Sequence, residues 1–311
     1  MKKAKQGFIK YYQQEQPWFS REEYLQEQIE NFQDYDKLME ESPAQRLKRY
    51  FHIIDNCYLL GVYESFRKND WMLLNNAIYQ HGRYRILDIL EDGYDQAGEF
   101  WNILDGMACN DVELLEKAMP RDLGYAKTAY PAFVVAMNLL YSLWYGEEKT
   151  SALVVEKAQK MLGQKKSQWE KAIVAYLLAI HEQDMVEAGR QLNQVCLASR
   201  RIEQDKSYKF FCLEAHGLLN IARLVLPEHL FEQIKWPEDD GFLDEFAQWQ
   251  KENNYPKGQL WMIYPEPLKE MNKILESPIP TCSLKGAGKD GKLMLRDCEA
   301  MRNQLIEVFK K

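Results

Sequence analysis

Gly286, Gly291 and Lys292 fit the spacing of a phosphate-cradling loop, GxxxxGK. Such a loop needs Ser or Thr next to hold magnesium, and Leu293 stands there instead. It also needs a preceding strand and a parallel sheet, for which the chain after Leu293 leaves too little length, so this stretch reads as a flexible loop. Metal chemistry has few candidates. The five histidines (His52, His81, His181, His216 and His229) form no HExxH and no ExxH pair. His181, Glu182 and Asp184 cluster as a helix end and turn would place them. No GxSxG marks a nucleophile elbow, although a Ser/His/Asp triad needs no sequence adjacency. The expectation is no metal, no cofactor and no catalytic residue.

The unusual resource is aromatic: 18 Tyr, 13 Phe and 8 Trp. Most belong to a core, and the rest can anchor a recognition surface, where Tyr and Trp are favoured. Two acidic clusters could meet a basic partner: Glu91, Asp92, Asp95 and Glu99, and then Glu238, Asp239 and Asp240 just after Trp236. Trp236, Glu238, Asp239, Asp240, Glu91, Asp92 and Asp95 are therefore the candidate partner-binding residues, against the plainer reading of solvated turns.

Arg46 and His52 show an Arg-x5-His spacing that resembles certain helical ribonucleases. That resemblance implies His52 as general acid or base and Arg46 as phosphate contact. Arg223 and His229 repeat the spacing with Pro227 between them, and Leu47 replaces the usual polar residue after Arg. The plainer reading of His52 is a half-buried helix residue.

What must position these groups is a set of helices. Ser20 with Glu23, Ser42 with Gln45 and Ser167 with Glu170 are capping boxes, and Pro43 suits a first helical position. Asn110 with Glu113 and Asp184 with Glu187 are looser versions. No alternating β-branched runs occur, so the fold class is all-α. Phe133, Met137, Leu140, Tyr141 and Trp144 lie at offsets 0, 4, 7, 8 and 11, one stripe of a helix. Trp169, Ile173, Tyr176, Leu177 and Ile180 repeat the offsets, as do Phe211, Ala215, Leu218, Leu219 and Ala222. Phe100, Leu104, Met107 and Ala108 form a partial copy. Short polar turns separate paired helices at Asn69-Asp70, Asn110-Asp111, Gly146-Glu147-Glu148 and Gln183-Asp184. These are degenerate helical hairpins of tetratricopeptide kind, stacked as a solenoid or closed as an irregular bundle.

Residues 1–226 carry the hairpins, and residues 227–311 form a C-terminal helical region with loops packed on the same domain. There Phe242, Phe246 and Trp249 suit a short helix, and Pro267 opens one reaching about Glu276. Ser277 to Lys292 reads as loop, and Met294, Cys298, Met301, Leu305 and Val308 mark a last amphipathic helix.

Forty basic and 47 acidic residues give a net charge of −7, which excludes a non-specific binder of nucleic acid or anionic membrane. Mean hydropathy is −0.52, and no window approaches the ~18 apolar residues of a membrane span. The opening MKKAKQGFIKYYQQEQPWF lacks the apolar stretch of an export signal. Six scattered cysteines without a CxxC pair read as free, packed thiols. The expected compartment is the cytoplasm.

Four segments, YPAFVVAMNLLYSLWYG from Tyr130, AIVAYLLAIHEQD from Ala172, YKFFCLEAHGLLNIARLVL from Tyr208 and GFLDEFAQWQ from Gly241, resemble the all-helical immunity proteins of bacterial polymorphic toxin systems, of the type called immunity protein 49. The resemblance spans about residues 100–250 and rests on helix texture with a few aromatic and small-residue positions. It implies no catalytic residues and a role in binding a cognate toxin protein, whose active site the immunity protein blocks. Where such a toxin is a nuclease domain with a basic cleft, acidic residues can mimic phosphate. Two other functions stay open: a helical-repeat scaffold or regulator holding a peptide or partner helix, and a helical ribonuclease built on Arg46 and His52.

Overall fold

A computed structural model describes residues 3–36, 42–88, 96–146, 148–202, 206–287 and 293–309. Among these residues the chain is all-α, with one small β-hairpin. Helices α1 (Lys3–Glu15), α2 (Arg21–Asp36) and α3 (Pro43–Ile53) lead into a first antiparallel pair, α4 (Tyr58–Lys68) and α5 (Trp71–Leu87). Three further pairs follow: α6 (Phe100–Ala108) with α7 (Val112–Ala118), α8 (Pro131–Tyr145) with α9 (Glu148–Leu162), and α10 (Gln168–Glu182) with α11 (Met185–Ser199).

The turns of these pairs follow from two adjacent residues doing opposite jobs. Asn69, Asn110 and Gln183 adopt left-handed φ of 52°, 61° and 55°, which ends one helix and reverses the chain. An aspartate follows each. Asp70 accepts the Leu73 N–H at 2.9 Å and Asp184 that of Glu187 at 2.9 Å, so both start the next helix. Gly146 takes the left-handed position after α8, with φ 67°. Asp111 departs from the pattern: its carboxylate binds buried Arg83 at 2.8 Å, tying the α6–α7 turn to α5. Ser42 and Gln45 form the reciprocal capping box expected at α3.

The apolar stripes point inward in part: Met137, Leu140 and Tyr141 of the first are buried, but Phe133 and Trp144 are half-buried, and Phe211 of the third lies before α12 begins. Trp169, Ile173, Tyr176, Leu177 and Ile180 are all buried, as are Phe211, Ala215, Leu218, Leu219 and Ala222. Stacking does not continue outward, however. Helix α12 (Leu213–Val225) packs on α11 and also returns to α6, while α8 packs on α10 and touches α6. Gly217 permits that return, because a Cβ there would stand 2.3 Å from the Leu104 carbonyl oxygen. Asn220 donates to the Met107 carbonyl at 2.9 Å across the same crossing. The pairs thus close around shared core, as a bundle does.

The C-terminal region joins that core. Short α13 (Glu228–Phe231) and α14 (Asp244–Glu252) precede an extended stretch laid along α5. There Gln80 accepts the N–H of Trp261 at 3.1 Å and of Met262 at 3.0 Å, and Asn75 donates to the Pro256 carbonyl at 3.1 Å. Helix α15 (Glu270–Glu276) packs on α5, and α16 (Cys298–Phe309) on α3. Trp261, Leu268, Met271 and Ile274 belong to the same apolar cluster as the hairpins.

The stretch expected to be loop from Ser277 to Lys292 holds a strand instead. Leu284–Ala287 (β1) pairs antiparallel with Leu293–Arg296 (β2). Met294, expected on the last helix, lies in β2, and α16 starts at Cys298 once Asp297 accepts the Ala300 N–H at 3.1 Å. Helix α15 likewise starts at Glu270, not at Pro267.

Candidate functional site

Of the first acidic cluster, Glu91, Asp92 and Asp95 lie outside the described residues. Glu99 is described, and it is no solvated acid: 2% exposed, it receives Arg296 Nη1 at 2.5 Å and Asn102 Nδ2 at 2.7 Å. The second cluster divides. Asn193 on α11 accepts the N–H groups of Glu238 at 3.0 Å and Asp239 at 3.3 Å, which fixes the turn. Asp239, expected to face a partner, turns inward, 9% exposed, to accept the Gly241 N–H at 2.7 Å and Arg200 Nη2 at 2.6 Å. Its carboxylate is used in holding the turn. Glu238 points outward beside Lys235 at 2.5 Å, and that ammonium lowers its pKa. Trp236 and Asp240 are half-buried, Trp236 with its ring 6.1 Å from Phe242.

A concavity of the described residues lies elsewhere, a cleft of about 420 Å³ between the end of α5, the start of α6, the start of α8 and the end of β2. Its walls are Trp101, Tyr130 and Phe133, and its floor is the Glu99–Arg296 pair. Each wall is locally determined. Trp101 stacks on buried Trp169 at 4.5 Å between centroids, which fixes its plane. Thr128 donates to the Met294 carbonyl at 2.8 Å, binding the segment before Tyr130 to β2. Pro131 then opens α8, leaving Tyr130 at its N-cap and 47% exposed. Hydrogen bonding to Glu170 raises the Tyr130 phenol pKa.

Behind this cleft lies a buried set of titratable groups. Arg85 lines the cleft and reaches inward to Asp105 at 2.5 Å, and that carboxylate raises the guanidinium pKa. His81 Nε2 stands 3.7 Å from the same carboxylate. Its Nδ1 accepts from Asn56 Nδ2 at 3.0 Å, so the imidazole proton sits on Nε2, facing Asp105. Burial lowers the His81 pKa well below the ordinary value and raises that of Asp105. Burial also pushes Glu214, on the facing helix α12, up to about 7, and Cys212 Sγ lies 3.6 Å from it. Sequence spacing could not find this set, because its members come from three helices and a cap.

A second cleft, of about 580 Å³, gathers Arg21, Arg67 and Lys68 around Glu64, which receives Arg21 at 3.4 Å and Lys68 at 2.7 Å. The other sequence candidates do not converge. Arg46 is engaged by Glu270 at 2.6 Å, and His52 is exposed on the last turn of α3, where half-burial was expected. Gly286 is in β1, a position that precedes no helix of phosphate-loop kind, and Gly291 and Lys292 lie outside the described residues. His181 Nε2 meets Ser151 Oγ at 2.5 Å, linking α10 to α9. Among the described residues no three His, Cys, Asp or Glu groups are placed to hold a metal, and no helix is long and apolar enough to cross a membrane. All six cysteines are free thiols and buried. Against family models, curated proteins and solved structures, the chain has no match.

Proposed function

We propose that this chain is a protein-binding inhibitor of the immunity kind, which neutralises a cognate toxin domain by direct contact, and that the aromatic cleft is where the toxin seats. The observation that carries this reading is the cleft itself: three large rings around a buried ion pair, held by contacts from four separate elements. Binding hot spots have this make-up, with Trp and Tyr anchors at a well-packed depression and little energy elsewhere. Tyr130 and Phe133 also open the first of the four segments that resemble immunity proteins. A net charge of −7 favours a basic partner, such as the active-site cleft of a nuclease toxin, and speeds the encounter. The inhibitor would act in the cytoplasm, where buried thiols stay reduced.

The test begins with affinity capture of the tagged chain from its host and identification of a stoichiometric partner. Expression of that partner's terminal domain should stop growth, and co-expression of this chain should restore it. Tyr130→Ala should weaken the complex by about 2 kcal/mol, roughly thirtyfold, without changing the circular dichroism of the free protein. Unchanged affinity would remove the cleft from the reading. A set of weak, unrelated partners would favour the peptide-holding scaffold instead.

A further inference from the structure

We infer that the second cleft, between the start of α2 and the end of α4, is a binding site for a phosphate group. It shares no residue with the aromatic cleft and does not depend on what seats there.

Charge balance is the first ground. Arg21 opens α2, Arg67 and Lys68 stand on the last turn of α4, and all three line one cavity of about 580 Å³. Carboxylates are too few to match them. Arg21 Nε and Nη2, each at 3.4 Å, and Lys68 Nζ at 2.7 Å converge on a single atom, Glu64 Oε2. Arg67 meets the neutral Tyr63 hydroxyl at 3.4 Å and, among the described residues, no carboxylate. Glu22, the other acid of the lining, is exposed, where water and salt screen it. Three cations less the one enclosed carboxylate of Glu64 leave two positive charges, the complement of a phosphate monoester at neutral pH. In a chain of net charge −7 this is a local excess of the opposite sign.

Position is the second ground. Both guanidiniums are held in place by the protein itself. Arg21 lies over the Trp261 ring, 4.8 Å from its centre, and donates Nη1 to the Trp261 carbonyl at 3.3 Å. Arg67 lies 5.4 Å from the centre of the Tyr63 ring, which is stacked on buried Tyr12 at 4.3 Å. All three cations stay within reach of a ligand. The Arg21 side chain is 37% exposed and that of Lys68 58%, against 10% for Glu64, and Arg67 is exposed as well. A phosphate monoester has three terminal oxygens for three cations, where a carboxylate has two. Planar guanidiniums also match the spacing of phosphate oxygens. The Arg21 contacts to Glu64 are long for hydrogen bonds, so a stronger acceptor can draw on the same donors.

The experiment titrates the full chain with inorganic phosphate and, separately, with N-acetyl-O-phosphoserine amide, at constant ionic strength. It follows the Nε–H resonances of Arg21 and Arg67, assigned with Arg21→Lys and Arg67→Lys. Acetate serves as the control. Both phosphates should shift the two resonances saturably at about millimolar concentration, and acetate should not. Arg67→Ala and Lys68→Ala should each weaken binding about tenfold with unchanged circular dichroism. Glu22→Gln, which removes a competing charge, should tighten it. Tighter binding of the phosphoserine amide assigns the group to a phosphorylated peptide, and equal binding assigns it to a small molecule; the site stands in both cases. No saturation by about 20 mM of either phosphate, or an equal response to acetate, overturns the inference. So does an Arg67→Ala protein that binds phosphate as tightly as the parent.

Discussion

Residues with the same charge serve different ends here, and burial decides which. Glu238 and Asp239 are neighbours, yet one lies in solvent beside Lys235 and the other is enclosed by Arg200 and the Gly241 N–H. A sequence pattern assigns both to one acidic patch, because adjacency is visible and the direction of a turn is not. Glu214 makes the same point with a measurable consequence. Its carboxyl is driven from 4.5 up to about 7 by burial, so the folded chain holds a proton there that the unfolded chain releases. The stability this proton supports is complete below pH 4.5 and is lost as pH rises to about 7, an effect of about 3 kcal/mol. Glu214→Gln should remove that slope and leave the variant the more stable above pH 7. Denaturant midpoints measured from pH 4 to 8 for both proteins check it, and parallel curves would show that Glu214 titrates normally in the fold.

At the scale of elements, the hairpins are written locally and their assembly is not. A left-handed Asn or Gln followed by Asp marks each of three turns, and at Asp70 and Asp184 the carboxylate also caps the next helix, both being events within a few residues. The stripes at offsets 0, 4, 7, 8 and 11 mark the buried face of α10, and the middle of those of α8 and α12, although Phe133 and Trp144 are half-buried and Phe211 precedes α12. They say nothing about which neighbour covers each face. That α12 returns to α6 depends on Gly217, a single missing Cβ beside the Leu104 backbone. Gly217→Ala would gain helix propensity in isolation and should still destabilise the protein by about 1–3 kcal/mol, since backbone must move to admit the methyl. Thermal unfolding gives the sign, and a stabilised variant would mean the crossing is looser than 2.3 Å implies. The β-hairpin escaped sequence reading for a related reason. Its strands have four residues each, too short for alternation to register, and the Met294–Cys298 spacing imitates a helix turn.

For the whole molecule, the question is how many units unfold. Trp261, Met271 and Ile274 share one apolar cluster with residues of the hairpins, and Gln80 binds the backbone at Trp261 and Met262 directly. Residues 1–226 and 227–311 should therefore melt together, with coincident transitions by far-ultraviolet circular dichroism and tryptophan fluorescence. Two resolved transitions would restore a boundary near residue 226. The cleft belongs to this scale as well, because Arg85, Trp101, Tyr130 and Arg296 come from four elements spread over most of the chain.

Residue order along the chain is enough to give the helical class, the places where the hairpins turn and most of the apolar faces they bury. Those features depend on contacts within a few residues and on periodicity, so composition and order along the chain carry them. That the pairs close on one another, that Asp239 and Glu99 face inward and that three aromatic rings meet beside an ion pair emerges from the folded chain alone. Each of these depends on residues far apart in the chain meeting in space, where desolvation and steric fit set the outcome and sequence distance has no bearing.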